Sequence, residues 1–231
     1  MSEHAYMAPT ARHRLPAERS QRSDLAGPLA LAALCLLALA LTWLVAEHVP
    51  AAQVKDTATL REFTLLDGPR ASALAHFLLG LFDPLLFTVW ALAIVMFAFA
   101  RGLPRVALAV ATVLCLAPLS ADRLKPLLAH PHVRLGVTQV GAASWPSGHS
   151  TAVAALVMCA VLVAPARLRP LVAGLGAAFA IAVGCALLVL SWHLPSDVVG
   201  GYLLGALWMA LAVAALRAAE RLWPSARRLA A

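Results

Sequence analysis

Long apolar runs alternate with short polar connections along the chain, and the runs have the length of membrane-spanning helices. Most of them hold close to the ~20 apolar residues that a bilayer requires. The second run is slightly short if it starts at Pro84, and it becomes long enough if it begins near Phe77. The six runs are 25–46, 77–100, 106–121, 147–163, 171–190 and 198–216. This pattern predicts an all-α protein, a polytopic membrane bundle of six transmembrane helices over residues 25–217.

An acidic residue, Asp83, stands beside the apolar part of the second run. An acid at membrane depth is a functional candidate by default. Asp followed by Pro is also typical of a helix start, where Asp caps the first turn and Pro84 takes the first helical position. We expect the capping role for Asp83.

The connection between the first two runs contains a short helical pattern. Residues 56–66 mix Leu, Phe and charged side chains in a way that suits a helix at the membrane interface. Such a helix can act as a lid over an outer site, or it can pack against the outer ends of the spans. We expect the packing role.

Composition supports a membrane protein and accounts for the basic charge. Of the 231 residues, 62% are hydrophobic and 13% are charged, which is more apolar surface than one soluble core can bury. The net charge of +7 would suit nucleic acid, yet the basic residues are scattered at span ends. They form no basic stripe interleaved with aromatic side chains, so no nucleic-acid partner is predicted. The four cysteines lie inside apolar runs without metal-ligand spacing, so no metal site is predicted.

Most of the 18 basic residues fall on one side of the predicted bundle. By the positive-inside rule this side is cytoplasmic and holds both termini, a disordered basic tail over 1–24 and a second basic tail over 218–231. Segments 47–77, 122–146 and 191–197 then face outward. Two lysines, two isoleucines and no asparagine indicate a GC-rich genome, so we expect a bacterial protein of the plasma (inner) membrane.

Two polar clusters stand at the outward ends of the predicted spans. They are WPSGHS at 145–150 and WHLPSD at 192–197. In the WHLPSD cluster, His193 and Asp197 are four residues apart and share a face if a helix runs through both. If Pro195 instead opens the helix, the chain can still fold Asp197 back, so in either case the carboxylate can accept a hydrogen bond from the imidazole. That bond fixes the tautomer, orients the free nitrogen and stabilises the cation formed on attack. The spacing predicts a histidine nucleophile with its orienting acid.

The WPSGHS cluster begins a predicted span. Pro146 suits a first helical turn, and Ser147, Gly148 and His149 follow it. Free backbone N–H groups and the positive end of the helix dipole make such a start an anion-binding site. Ser147 and Gly148 are therefore candidate phosphate ligands, and His149 is a candidate general acid beside the bound phosphate.

Together these clusters resemble the type 2 phosphatidic acid phosphatase (PAP2) superfamily, which includes lipid phosphate phosphatases and vanadium haloperoxidases. Its signature has three parts, roughly K-x6-R-P, P-S-G-H and S-R-x5-H-x3-D. The resemblance covers about residues 122–213. The central motif is matched in full, and the last motif is matched at its working end, by Pro146, Ser147, Gly148, His149, His193 and Asp197.

The resemblance implies a metal-independent phosphatase that needs no cofactor. In such an enzyme His193 attacks phosphorus to give a phosphohistidine, Asp197 orients it, and His149 protonates the leaving oxygen. Water then releases phosphate. The membrane branch of the superfamily acts on lipid phosphates, so the expected partners are a lipid phosphate substrate and the bilayer itself.

The chain departs from the signature where arginines are expected. Leu187 and Ala186 stand where the last motif has Arg and Ser. In the first motif Lys125 fits the lysine, but His132 and Val133 replace Arg-Pro. A rival register that starts at Arg123 reaches His130 and Pro131, and so keeps the proline. Compensation can come from the basic residues of the same outer segment, which are Arg123, His130, His132 and Arg134.

Two functions fit this sequence. One is a phosphatase that hydrolyses a lipid phosphate or diphosphate at the outer membrane face. The other is a catalytically weak relative that binds a phospholipid headgroup or scaffolds envelope proteins, because losing one preorganised donor to an oxyanion costs ~10²- to 10³-fold in rate. The sequence leaves open which lipid is used, hydrolysis or phosphotransfer to another alcohol, and the oligomeric state.

Aromatic and small residues around the clusters suggest structural roles. Trp145 and Trp192 can shape a pocket rim, but we expect them to be interfacial anchors. Gly200, Gly201 and Gly205 are expected to serve close helix packing.

Overall fold

The structure, a computed structural model, describes residues 17–129 and 140–223, with side chains from Leu25 onward. All its regular elements in these ranges are helical, which confirms the predicted all-α class. The α-helices are α1 (Ala17–His48), α2 (Pro50–Thr64), α3 (Pro69–Gly80), α4 (Pro84–Ala100), α5 (Pro104–Leu128), α6 (Gly148–Val163), α7 (Arg169–Val189) and α8 (Pro195–Leu222), with a short 3₁₀ turn at Ala166–Leu168 before α7.

Each predicted span except the second corresponds to one helix, although some helices are longer. Helix α1 begins at Ala17, ahead of the predicted start of the first span, so residues 17–24 are helical and not part of a disordered tail as predicted. Helix α5 continues to Leu128 rather than ending near residue 121. Arg123 and Lys125 therefore lie on the last turns of a helix, and not in a loop as the sequence predicted.

The second predicted span is broken into two helices. Helices α3 and α4 meet at an angle of 53° across a short break. Pro84 has no N–H to continue the helix of α3, so the chain must restart there. Asp83 is the N-cap residue of α4, as predicted, but its side chain makes no capping hydrogen bond. The expectation of one continuous helix from Phe77 is wrong.

The helices have the length and surface of membrane spans. Four spans, Leu25–His48, Pro104–Leu128, Ala166–Val189 and Pro195–Leu222, are long and apolar enough to cross a bilayer, and the bent α3–α4 pair would add a fifth. Leucines on α1 such as Leu29, Leu31 and Leu34 are 50–61% exposed, which suits contact with lipid. The chain is a multi-pass membrane protein. Helix α6 has only 16 residues, so the count of six spans stays a prediction.

Helix α6 lies in the interior of the bundle and packs closely against α8. Val153, Ala155 and Cys159 of α6 are fully buried. A Cβ built on Gly201 of α8 would lie 2.5 Å from the Ser147 carbonyl oxygen, and one on Gly205 would lie 2.8 Å from the Ala154 Cβ. Only glycine allows this approach, which confirms the predicted packing role. The contact brings the starts of α6 and α8 together.

Helix α2 connects the first span to the rest of the bundle. It confirms the helix predicted between the first two runs, although it begins at Pro50 and ends at Thr64. Leu60 is fully buried in an apolar cluster with residues of α3 and α7. The Gln53 side chain donates to the Glu47 carbonyl oxygen at 2.7 Å. These contacts support the packing role for α2.

Candidate active site

The WHLPSD cluster runs from the turn after α7 into the first turn of α8, where it holds an imidazole against a buried carboxylate. The His193 Nδ1 atom lies 3.2 Å from Asp197 Oδ2. The same oxygen accepts the Leu194 N–H at 2.9 Å, and Asp197 is fully buried. With Nδ1 on the carboxylate, Nε2 is the ring nitrogen that can meet a substrate. The pair has the geometry expected of a nucleophile and its orienting acid.

The WPSGHS cluster is joined to this pair by a backbone hydrogen bond. The Ser147 N–H donates to the Asp197 carbonyl oxygen at 3.0 Å. Ser147 is also the N-cap of α6, because its hydroxyl accepts the Ser150 N–H at 3.3 Å. Gly148 and His149 follow as the first residues of α6, whose N–H groups have no carbonyl partner within the helix. The start of α6 thus presents backbone donors beside the His193–Asp197 pair.

His149 lies in a charged setting at the start of α6. It is partly buried and interacts electrostatically with four ionisable side chains, which are His193, Lys125, Asp83 and Asp122. The structure therefore gathers both histidines, one lysine and two acids in one region. A histidine beside a second histidine and a lysine can exchange a proton with a substrate oxygen held between them.

The two tryptophans differ in burial, and one of them differs from the prediction. Trp145 is only 3% exposed, so the expectation of an interfacial anchor is wrong. Its indole fills the space left by Gly200, whose Cβ would lie 2.5 Å from Trp145 Nε1. Trp192 is 45% exposed and lies between His149 and His76, with ring centroids 5.9 and 6.0 Å away. Trp192 thus contacts a candidate catalytic histidine while staying largely exposed, and its role as an interfacial anchor or as part of a pocket rim stays a prediction.

Lys125 reaches the start of α6 from the last turn of α5. A Cβ built on Gly148 would lie 3.5 Å from Lys125 Nζ and 3.5 Å from Asp122 Oδ1. Lys125 Nζ also pairs with Asp122 Oδ1 at 3.1 Å. Arg123 is exposed. It is two residues before Lys125 on the same helix, so it lies on a different face. The register that starts at Lys125 is therefore the one that brings a cation to the site.

The position where the last motif expects arginine is apolar in space as well as in sequence. Leu187 is fully buried and Ala186 is 4% exposed, both in an apolar cluster that includes Val153 and Val183. This part of α7 contributes packing and no charge. The other residues considered as replacements, His130, His132 and Arg134, lie outside the described residues.

The contacts of two acids near the site are difficult to predict from the sequence. Asp122 is three residues before Lys125, and this spacing could have revealed their ion pair. Asp56 of α2 contacts Ser196 of α8 across 140 residues, which no local pattern reveals. Within 17–129 and 140–223, no group of three or more His, Cys, Asp or Glu side chains is arranged to hold a metal ion.

Comparison with known proteins agrees with the resemblance seen in the sequence. The sequence model of the PAP2 superfamily matches residues 105–221. Among solved structures, the chain is similar to the one described as the first transmembrane PAP2 type phosphatidylglycerolphosphate phosphatase, from Bacillus subtilis. Identity is 22% over 81% of this chain and 94% of that chain, with a TM-score of 0.65, which shows a shared fold. No curated protein sequence matches.

Proposed function

Because the chain belongs to the PAP2 superfamily, we propose that it hydrolyses a lipid phosphate or diphosphate at the outer membrane face through a phosphohistidine at His193. The observation that carries this proposal is the assembly of His193, Asp197 and His149 at the joined starts of α6 and α8. A nucleophile, its orienting acid and a proton donor are thus near one another. Family and fold support the coarser statement, a membrane phosphatase of this superfamily.

In the first half of the reaction, His193 Nε2 attacks phosphorus. The N–P bond forms as the bond from phosphorus to the lipid oxygen breaks, and His149 gives its proton to the leaving oxygen. Asp197 stabilises the positive charge on the phosphorylated imidazole through Nδ1. In the second half His149 takes a proton from water, the hydroxide attacks phosphorus, and His193 leaves with its electron pair. Inorganic phosphate is released and both histidines return to their first state.

Charge on the phosphoryl oxygens is balanced by the start of α6 and by Lys125. The N–H groups of Gly148 and His149, together with the positive end of the helix dipole, are suited to this task, and the Ser147 cap fixes the turn that presents them. His130, His132 and Arg134 remain the candidates for the expected arginines, while Arg123, on another face of α5 from Lys125, is the candidate that the geometry does not favour. The proposed mechanism uses no metal ion and no cofactor.

The membrane setting proposed here follows the charge pattern of the sequence. Six spans, with α6 as the short one, place both termini and the basic residues near them in the cytoplasm, in a bacterial inner membrane. The site then faces outward, and a lipid headgroup reaches it by lateral diffusion. Phosphatidylglycerolphosphate, named for the Bacillus subtilis protein, is one lipid to test.

A second candidate function is supported by the buried Leu187. A site with an apolar residue in place of a phosphate-holding arginine fits a catalytically weak protein that binds a phospholipid headgroup or scaffolds envelope proteins. Phosphate binding without turnover would be its signature.

Phosphate release by the purified protein in detergent tests the proposal. The panel contains lipid phosphates and diphosphates, with chelator present, and compares wild type with His193→Ala. His48→Ala is the matched control, because His48 is an exposed histidine at the end of α1. We expect turnover in wild type and control and none in His193→Ala. If the folded wild type releases no phosphate from any lipid, the proposed phosphatase function is overturned and the headgroup-binding function is favoured.

A further inference from the structure

The N-cap residue of helix α8 offers no capping side chain, and the one cap from its own segment is the Asp197 carboxylate, which accepts the Leu194 N–H. That N-cap residue is Leu194, which has no polar side chain, and Pro195 follows at the first helical position. The Ser196 N–H is then the first donor of the helix that needs an acceptor from elsewhere. Asp56 of α2 supplies it: Ser196 N–H donates to Asp56 Oδ1 at 3.1 Å. The Ser196 hydroxyl donates to the other carboxylate oxygen at 2.5 Å.

The turn that Asp56 holds is the turn that carries the proposed nucleophile and its acid. His193 and Leu194 both bond to the Asp197 carboxylate, so a shift of this turn moves imidazole and carboxylate together. Ser196 lies directly before Asp197 and is held at two points. Two bonds to an ionised carboxylate fix orientation as well as distance.

Helix α2 is anchored well enough to act as a support for that turn. Leu60 is fully buried, Thr57 is 6% exposed, and Gln53 is bonded to the end of α1. The negative charge of Asp56 also stands at the positive end of the α8 dipole, where it is stabilising. Asp56 therefore joins an anchored helix to this turn and accepts the Ser196 N–H, while the Asp197 carboxylate accepts the Leu194 N–H.

We propose that Asp56 is a positioning residue, an N-cap supplied from α2 that holds the first turn of α8 and with it the His193–Asp197 pair. This inference rests on the proposed function for its kinetic consequence. It extends the machinery beyond the signature motifs to a helix outside the matched residues 105–221. Asp56 has no contact with the phosphoryl group in this scheme.

Substitutions at both ends of the contact separate the two bonds. Asp56→Ala removes both, Ser196→Ala removes only the hydroxyl bond, and Asp56→Asn keeps an acceptor for the Ser196 N–H. We expect kcat to fall about tenfold in Asp56→Ala with KM little changed. Losing a helix cap shifts the equilibrium between the held and the released turn by about a factor of ten, and only the held turn positions His193. Asp56→Asn should retain most activity, and Ser196→Ala should lie between them.

Coupling between the two residues gives a sharper test. In the double variant Asp56→Ala/Ser196→Ala, kcat should equal that of Asp56→Ala alone, because the hydroxyl has already lost its partner. The matched control is Glu62→Ala, which removes an exposed acid from the same helix and should leave kcat unchanged. Effects that simply multiply would overturn the proposed contact.

Amide hydrogen exchange over residues 194–198 provides a readout that does not need turnover. Exchange there should be faster in Asp56→Ala and unchanged in Glu62→Ala. A cooperative thermal unfolding transition shows that both variants are folded. If wild type turns over while Asp56→Ala matches it in kcat and exchange, the inference fails and the proposed function stands. If wild type has no turnover, the proposed function fails, and unchanged exchange in Asp56→Ala would then overturn the cap as well. If Asp56→Ala does not fold, Asp56→Asn and Ser196→Ala decide by the same measurements.

Discussion

The junction of α6 and α8 and the end of α5 contribute to the same site in contrasting ways. At the junction, Ser147 and Asp197 are fully buried and joined by a 3.0 Å backbone bond. At the end of α5, the side chains of Lys125 and Asp122 are 27% and 66% exposed. The proposed covalent chemistry is thus built into the core, while the cation proposed to bind the phosphate lies at an exposed edge. A rigid core can hold a nucleophile in one position, whereas an exposed edge tolerates the replacement of one charged residue by another.

The departures from the signature fit this contrast. At Leu187 an arginine would have to be buried inside an apolar cluster, which is costly without a partner. The leucine contributes packing there instead. On the α5 side, the replacements considered are all on one outer segment, Arg123 to Arg134. The junction keeps the two histidines, the acid and the backbone donors that the proposed mechanism uses, and the side-chain cation Lys125 is at the edge.

The largest effect should come from breaking the junction at its carboxylate. Asp197→Asn keeps an oxygen for the Leu194 N–H but no longer holds the imidazole cation or its tautomer. We expect kcat to fall by about 10³- to 10⁴-fold with the fold retained, as for other histidine–carboxylate pairs. Initial rates with thermal unfolding as the control measure this, and a loss under tenfold would mean that Asp197 does not serve His193.

A smaller effect should follow from removing the cation at the edge. Lys125→Ala should lower kcat/KM by about 10²-fold, because one donor to the phosphoryl oxygens is lost. Arg123→Ala is the matched control, since Arg123 lies on another face of α5 and is exposed. Rates for both variants test this, and equal losses would contradict the register that starts at Lys125.

Two glycine substitutions separate packing from chemistry at the junction. Gly201→Ala forces a methyl into the Ser147 carbonyl and should cost about 1–3 kcal/mol of stability together with about tenfold in rate. Gly148→Ala places its methyl at ordinary contact distance, 3.5 Å from Lys125 Nζ, so stability should hold while rate falls. Melting temperature and kcat measured together check this. Equal destabilisation would show that both positions are packing sites.

The smallest effect concerns the edge and depends on pH. If His130 or His132 replaces an arginine, it must be protonated, so its contribution is present at low pH and lost as pH rises above ~6.5, the unperturbed histidine value. Activity should then fall a few-fold by pH 7.5. His132→Arg or His130→Arg should recover at pH 8.5 the part of the loss that is due to the clamp, and the part that is due to deprotonation of the general acid His149 should remain. A rate that is flat from pH 6 to pH 8.5 in wild type would contradict the histidine clamp.

Much of the fold could be read from the apolar runs, because spans of membrane length leave few alternatives to helices. Helix ends were less certain. Apolar character stops near Ala121, but backbone hydrogen bonding carries α5 to Leu128, with Arg123 and Lys125 on it. The α3–α4 break is set by Pro84, which ends a helix that the apolar run alone would continue from residue 77.

The site shows the same division. The four-residue spacing predicted the His193–Asp197 bond, but the two residues do not share a helical turn: α8 begins at Pro195, and the Asp197 carboxylate reaches back from its first turn to the imidazole. Burial of Trp145 was missed because its space is created by Gly200, far along the chain. The Asp56–Ser196 contact depends on how α2 and α8 meet, which only the tertiary structure reveals.

The central claim is a covalent intermediate at His193, and trapping it is the most direct test. Wild type is mixed with ³²P-labelled lipid phosphate, stopped with alkali within milliseconds, digested, and the labelled peptide identified. We predict an acid-labile, alkali-stable label on the peptide that contains His193, formed at least as fast as kcat and not formed in His193→Ala. Steady turnover with no labelled protein, or with the label on another residue, would contradict the account.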